Sequence, residues 1–367
     1  GDDPSPVIAA LPEAEAGSVA AVLRGLSASS SPLTLSDYAR APLFFLMEER
    51  SPEIQQLAIQ LAVRVEGVDL TVVFEKAAAS VADEALSLED RQAALHRLGY
   101  APFALLAPVA VELMKPQNPP ALQAAAIKAL GQSDDAGVGD ALLGQWAALG
   151  PKTRPLVLAT VLEQSNRISA LLESLKKGIV KSDDLTDVQR EQLSKGHEEA
   201  RRLFAETNGN TELNARLALY RAALGGPVNL ERGEALFTQT CLICHRLGEE
   251  GTDVGPALGS LISKPDESIL TDIMDPSGKI DPEYTLYIVT LNQGEALAGV
   301  ISSESPTSLT LKQADGSSKT ILRQDIASMT SSDISLMPAN LHEAIAPEEL
   351  SSLIGYLRMA YGAPEKR

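Results

Sequence analysis

Both cysteines of the chain lie in one five-residue segment, Cys241-Leu242-Ile243-Cys244-His245. With two Cys and four His in 367 residues, chance places them at this spacing on the order of once in ten thousand chains. The spacing suits a definite chemistry. Two thiols one helical turn apart can each bond a vinyl group of a haem, and a His directly after the second reaches the iron from the same side. Iron held by that His and a second side chain carries electrons; with the second position open it can catalyse. Other uses of a Cys pair ask for more than the sequence provides. A thioredoxin-type dithiol wants a βαβ surround, which the flanking pattern lacks. A structural zinc needs two further ligands, and only His96, His197, His342 and carboxylates remain. A disulfide within the pair leaves His245 without a part. The motif therefore predicts one haem c, attached through thioethers at Cys241 and Cys244 and ligated by His245.

Several elements must position that segment. Leu224-Gly225-Gly226-Pro227 ends a helix and cannot smoothly begin another, so the chain is expected to divide into a domain at 1–225 and a second at 227–367. Asn229 is placed to cap a new helix from Leu230 to about Gln239, on which Gly233 and Phe237 share one face. A loop at 248–258 and a short helix near Ser268–Met274 follow, stopped by Asp275-Pro276. From Tyr284 the texture becomes alternating and β-branched, with strand candidates at 285–291, 298–302, 308–313 and 320–322. This predicts a β-meander or small barrel inserted at 285–330 and ending near Met329. Pro347-Glu348-Glu349 opens a last helix whose apolar stripe is Leu350, Leu353, Ile354 and Leu357. In class I cytochromes the first and last helices cross, and Gly233 with Phe237 facing Leu353 with Leu357 would build that crossing.

A six-coordinate iron needs a ligand on its other face. Among the six Met residues, Met337 stands before Pro338 in a loop ahead of the last helix, where class I cytochromes present their distal sulfur. It lies 337 − 245 = 92 residues from His245; without the 46 residues of 285–330, the remaining 46 are ordinary for that class. His342, Met274 and Met329 are the rivals.

Upstream, from about residue 10 to 224, the pattern is helical and repeats. Segments 56–61, 92–99 and 124–131 look alike and 155–162 is a fainter copy, with offsets of 36, 32 and 32 residues. Repeats of this length stack helix pairs, each burying its face on the next. His96 and His197 lie in helices with no second ligand at i+3 or i+4, and read as structural or solvated. The composition agrees with a globular chain: 44% hydrophobic, 22% charged, and a formal charge of −18. That charge argues against nucleic acid, whose phosphates demand a basic footprint. No run is long enough to span a membrane. The start, Gly1-Asp2-Asp3-Pro4, fits a mature chain or a fragment.

From Asn229 to Tyr361 the chain resembles the haem-binding domain of planctomycete and verrucomicrobial proteins, often found at the C-terminus of membrane-bound dehydrogenases. The resemblance is carried, in order, by Gly233-x-x-x-Phe237, Cys241–His245, Val254-Gly255-Pro256-Ala257-Leu258, Asp281-Pro282-Glu283-Tyr284 and Ser335-Leu336-Met337-Pro338-Ala339-Asn340-Leu341. The family often has Glu-Gly where Ala339-Asn340 stands here. The resemblance implies a mainly α chain: HEAT-like repeats, then a class I cytochrome c-like domain with a β-insertion. It implies thioethers at Cys241 and Cys244, proximal ligation by His245, distal ligation by Met337, and a Pro256 carbonyl accepting the Nδ1 proton of His245.

On this reading the chain is an electron-transfer haem protein rather than an enzyme. Its partner would be a redox protein, such as a dehydrogenase domain or subunit, and its place extracytoplasmic. Two other functions stand beside it: an open-site haem enzyme or sensor, and a partner-binding scaffold in which haem is ancillary.

Overall fold

Ala- and Leu-rich stretches broken by Pro and Gly make helices, and the computed structural model is about 58% helical. It describes residues 3–28, 32–48, 51–206 and 211–362; residues 1–2 and 363–367, the ends of the two expected domains, lie outside these. The chain forms two units, Gly1–Met114 with Ala121–Leu142, and Lys115–Pro120 with Leu143–Arg367. The break at Leu224–Pro227 is a turn inside the second unit, with Gly225 at φ +79°. Tyr220, near the end of the Thr211–Ala223 helix, packs across this turn. Its side chain is buried in one core with Leu236 and Phe237, and its hydroxyl donates to the carbonyls of Ile345 and His342 at 2.6 and 2.9 Å. A helix stop in sequence marks a turn; whether a domain ends there depends on where the flanking side chains are buried.

In the first unit the three stronger repeat copies fall on the helices Pro52–Ala62, Leu88–Leu98 and Pro120–Gly131. Ser51 and Ser87 cap the first two, accepting from the Ile54 and Asp90 amides. Side chains tie each to the next. Arg97 donates to Gln55 at 2.9 Å, Gln92 donates to the Ala121 carbonyl at 3.1 Å, and Gln132 Nε2 lies 2.7 Å from His96 Nδ1. His96 thus has a polar partner of its own. Burial holds its pKa below the usual imidazole range, with Lys128 and Arg97 adding to the effect.

In the second unit the fourth copy forms the helix Arg154–Leu162. Its β-region is one antiparallel sheet of five strands: β1 Leu286–Leu291, β2 Ala296–Glu304, β3 Ser308–Lys312, β4 Ser318–Leu322 and β5 Ile326–Ser332. Their order is β4-β3-β2-β1-β5. The first four form a meander, and β5 returns to pair with β1, so that Leu286 stands opposite Ser332. Strand β5 runs past Met329, the expected end. Tyr287, Val289, Leu309, Leu311, Ile326 and Met329 fill the sheet's own core. A buried pair closes one side: Arg323 donates to Glu304 at 2.8 Å and to the Pro116 carbonyl at 2.7 Å. A second core gathers the helices Leu230–Leu236, Asp266–Met274 and Leu350–Gly362. Among the described residues, no helix is long and apolar enough to cross a membrane.

Candidate functional site

The Cys segment begins where a helix changes pitch. Asn229 caps the helix, its side chain accepting from the Arg232 amide at 3.0 Å. The α-helix expected to reach about Gln239 ends at Leu236, and Phe237–Cys241 continue as a π turn. Leu242 N–H reaches the Phe237 carbonyl, five residues back, at 3.0 Å. Such turns are rare and cluster at functional sites. Phe237 is anchored between two rings, with centroids 5.7 Å from Tyr356 and 6.5 Å from Tyr361. Gly233 faces the last helix so closely that a β-carbon there would lie 2.2 Å from the Ser352 carbonyl oxygen. Phe237 shares its core with Leu353 and Leu357. The two helices therefore cross at Gly233, as their apolar faces require.

After the π turn the chain tightens. The Cys244 and His245 amides donate to the Cys241 carbonyl at 3.0 and 2.8 Å. The segment expected as loop then makes a two-residue antiparallel pair, Arg246–Leu247 with Glu250–Gly251. This returns the chain beneath the motif, where Thr252 donates to the Ile243 carbonyl at 2.6 Å. The Gly255 amide donates to the Cys244 carbonyl at 2.7 Å. Gly255 is the backing of the His245 ring: a β-carbon there would lie 2.5 Å from Cε1. His245 is 8% exposed, and its Nδ1 donates to the Pro256 carbonyl at 2.8 Å.

That bond decides what the imidazole can do. With Nδ1 committed as donor, the other nitrogen, Nε2, carries the lone pair, and it makes no hydrogen bond to the described residues. Burial lowers the His245 pKa, the bond to Pro256 acting the other way, so the ring is neutral at pH 7. Both thiols are free. Burial raises the pKa of each, with Thr240 lowering that of Cys241 in part, so both are protonated at neutral pH. The segment thus presents two uncharged thiols and one neutral imidazole whose orientation is fixed by the backbone.

The methionines separate by environment. Met47 and Met114 are buried in the first unit, and Met359 is 49% exposed. Met329 belongs to the sheet core, which excludes it from the Cys segment's surroundings. Met274 is buried in the helical core, and Met337 is half-buried against that same core, as is Cys241. The Met337 amide donates to Ser335 Oγ at 3.1 Å, and the Ser335 amide to Ser277 Oγ at 3.1 Å. His342 follows in a short turn, with Nδ1 buried and unpaired.

Among the described residues, no cluster of three or more His, Cys, Asp or Glu is placed to hold a metal ion. A polar cavity elsewhere in the second unit is lined by Arg154, Lys181 and Asp184 and includes none of the site residues above. No known family model matches the chain, and no curated protein matches it.

Sequence reasoning missed Gly255 as the support of the His245 ring, Thr252 as the tie beneath the motif, and the π turn. Gly255 was legible only as part of a motif, since its partner atom lies in another segment.

Proposed function

We propose that the second unit carries one haem c, attached at Cys241 and Cys244 with His245 as proximal ligand and Met337 as distal ligand, and passes single electrons to a partner protein. The observation that carries this reading is the His245–Pro256 hydrogen bond beside two free thiols. The bond orients Nε2 on the residue directly after the Cys pair, and burial keeps the ring neutral, the form in which imidazole binds iron. The residues present fit the group: two thiols for two vinyl carbons, one fixed imidazole, and a half-buried thioether against the core that holds Cys241.

Bound there, the haem would supply a one-electron ferric/ferrous couple, whose potential thioether ligation raises. The chain's own residues do the rest. Pro256 holds the imidazole proton at Nδ1, and this strengthens Nε2 as a donor. Gly255 allows the ring to lie flat on the backbone. Leu242, Leu258 and Met337 lie against the helical core and keep water from that side. The upstream helices, stacked through Arg97–Gln55 and Gln92–Ala121, are read as a HEAT-like scaffold for a dehydrogenase-type partner, and the location as extracytoplasmic.

One observation favours a variant of the distal ligand: the unpaired, buried Nδ1 of His342. The same experiment separates the two. The haem-loaded chain, Met337→Leu and His342→Phe are compared by optical spectroscopy, oxidised and reduced. The expected result is a low-spin c-type spectrum with a weak far-red sulfur-to-iron band, lost in Met337→Leu and kept in His342→Phe. A spectrum unchanged by Met337→Leu but converted to high-spin by His342→Phe moves the ligand to His342. A high-spin wild type overturns the electron-carrier reading in favour of an open iron.

A further inference from the structure

The five-stranded sheet interrupts the region between His245 and Met337, and its sequence assigns it no part. Its contacts with the loop 252–256 do. Each residue of that loop makes a contact that the next one continues. Thr252 donates to the Ile243 carbonyl between the two cysteines, the Gly255 amide donates to the Cys244 carbonyl, and the Pro256 carbonyl accepts from the His245 ring. Between them, Asp253 is ion-paired with Lys312, the last residue of β3, whose ammonium also lies 3.4 Å from the Asp253 carbonyl. Val254 is 2% exposed. The turn after β3 closes on both neighbours: a β-carbon at Gly316 would lie 3.2 Å from Thr252 Cγ2 and 4.0 Å from Val254 Cγ2.

We propose that the β3–β4 hairpin of the inserted sheet, through Lys312 on Asp253 and Gly316 on Thr252 and Val254, is the brace that fixes the loop orienting His245. Lys312 is a positioning residue that acts through Asp253 and Pro256. The pair differs from an ordinary surface ion pair in its burial. The Lys312 side chain is 15% exposed while that of Asp253 is 68% exposed, so the cation is the enclosed partner and Asp253 is its counter-charge. Removing either leaves the brace loose, either with a buried charge unpaired or with no charge to hold the loop. The sheet also leads into the other ligand loop: β5 ends at Ser332, whose Oγ accepts from the Ile334 amide at 3.2 Å, three residues before Met337. The sheet thus braces one of these loops through side chains and continues along the chain into the other.

The effect on the loop is independent of the haem reading; the effect on iron ligation rests on it. The test uses the full chain as purified, with Lys312→Met, Asp253→Asn and Lys312→Arg. Amide hydrogen exchange is followed over residues 251–257 and, as a control for the sheet, over 286–291. Lys312→Met and Asp253→Asn are expected to speed exchange at 251–257 by about tenfold with the control unchanged, and Lys312→Arg to restore protection to within about threefold. In the haem-loaded chain the midpoint potential should shift in the first two variants and return in the third. Exchange at 251–257 within about twofold of wild type in both disruptive variants, with the sheet protected, overturns the brace. Should Lys312→Met loosen the sheet itself, Asp253→Asn, which lies off the sheet, decides. Faster loop exchange in a chain that takes up no haem would sustain the brace and sink the haem reading. A changed loop with an unchanged potential would confine the brace to structure and overturn its part in ligation.

Discussion

The carbonyl oxygen of Ser352 stands 2.2 Å from where a β-carbon of Gly233 would be. This is a contact with backbone, which cannot swing aside as a long side chain can. The Asn229 amide donates to Ser352 Oγ at 3.0 Å, so the two helices are joined at the same point by a hydrogen bond.

Gly233→Ala should therefore separate the helices and destabilise the second unit by about 1–3 kcal/mol, the usual cost of overpacking. Denaturant unfolding followed by circular dichroism measures it. A change under about 0.5 kcal/mol would show that the crossing relaxes freely and that Gly233 is not what fixes it.

Gly255→Ala places a methyl group 2.5 Å from Cε1 of His245. The ring must tilt, and the bond from Nδ1 to Pro256 lengthens with it. If haem is attached at Cys241 and Cys244, the variant should keep the covalent bond and lose the low-spin spectrum. Denaturing gel staining for haem and an optical spectrum read the two outcomes separately; a low-spin spectrum in the variant would show that ring position is set elsewhere.

Arg232 and Glu349 join the same two helical segments, with Nε to Oε1 at 2.6 Å. The Arg232 hydrogen bond holds the Glu349 carboxyl below its usual range, the Ala346 amide assists, and desolvation opposes. A carboxyl depressed on folding adds stability that is complete above its unfolded pKa, about 4.3, and is lost as pH falls through the folded value. The melting temperature of Glu349→Gln should thus lie below wild type at pH 7. The gap should close as pH drops below about 4. A gap that persists in acid would assign the effect to packing.

As free thiols, Cys241 and Cys244 should react slowly. Burial raises the pKa of Cys241 and of Cys244, and only the thiolate is nucleophilic. Iodoacetamide labelling of the haem-free chain should therefore climb with pH well beyond the ordinary thiol midpoint of about 8.5. Rapid labelling at pH 7 would mean that the segment is open to solvent.

Local order in the sequence carried much of this architecture. The Asn229 cap, the Gly233–Phe237 face, the stripe from Leu350 to Leu357 and the alternation in β1 each express a rule that spans at most a few residues. The Cys segment drew notice because its spacing is local too. What escaped depends on distance or on a single inserted residue. The π turn at Phe237–Cys241 adds one residue to one turn, too little to leave a period. Asp253 and Lys312 are 59 residues apart, and neither is unusual in its own neighbourhood. Tyr220 packs with Leu236 and Phe237 across the Gly-Gly-Pro stop, a contact that the stop itself cannot reveal. Position alone separates Met337 from the other methionines in the sequence; in the structure it packs against the core that also takes Cys241, while Met329 lies in the sheet core.

The return of β5 to the side of β1 has a further consequence. With Leu286 opposite Ser332, the chain enters and leaves the sheet at neighbouring points, about 5 Å apart for paired strands. Such an element can be spliced into a loop, or cut from it, without stretching the host chain: a few glycines would span the gap. Excision of 286–332 with a short glycine linker would preserve the path of the backbone, and whatever the frame then lost in stiffness would measure what the guest element contributes to its host.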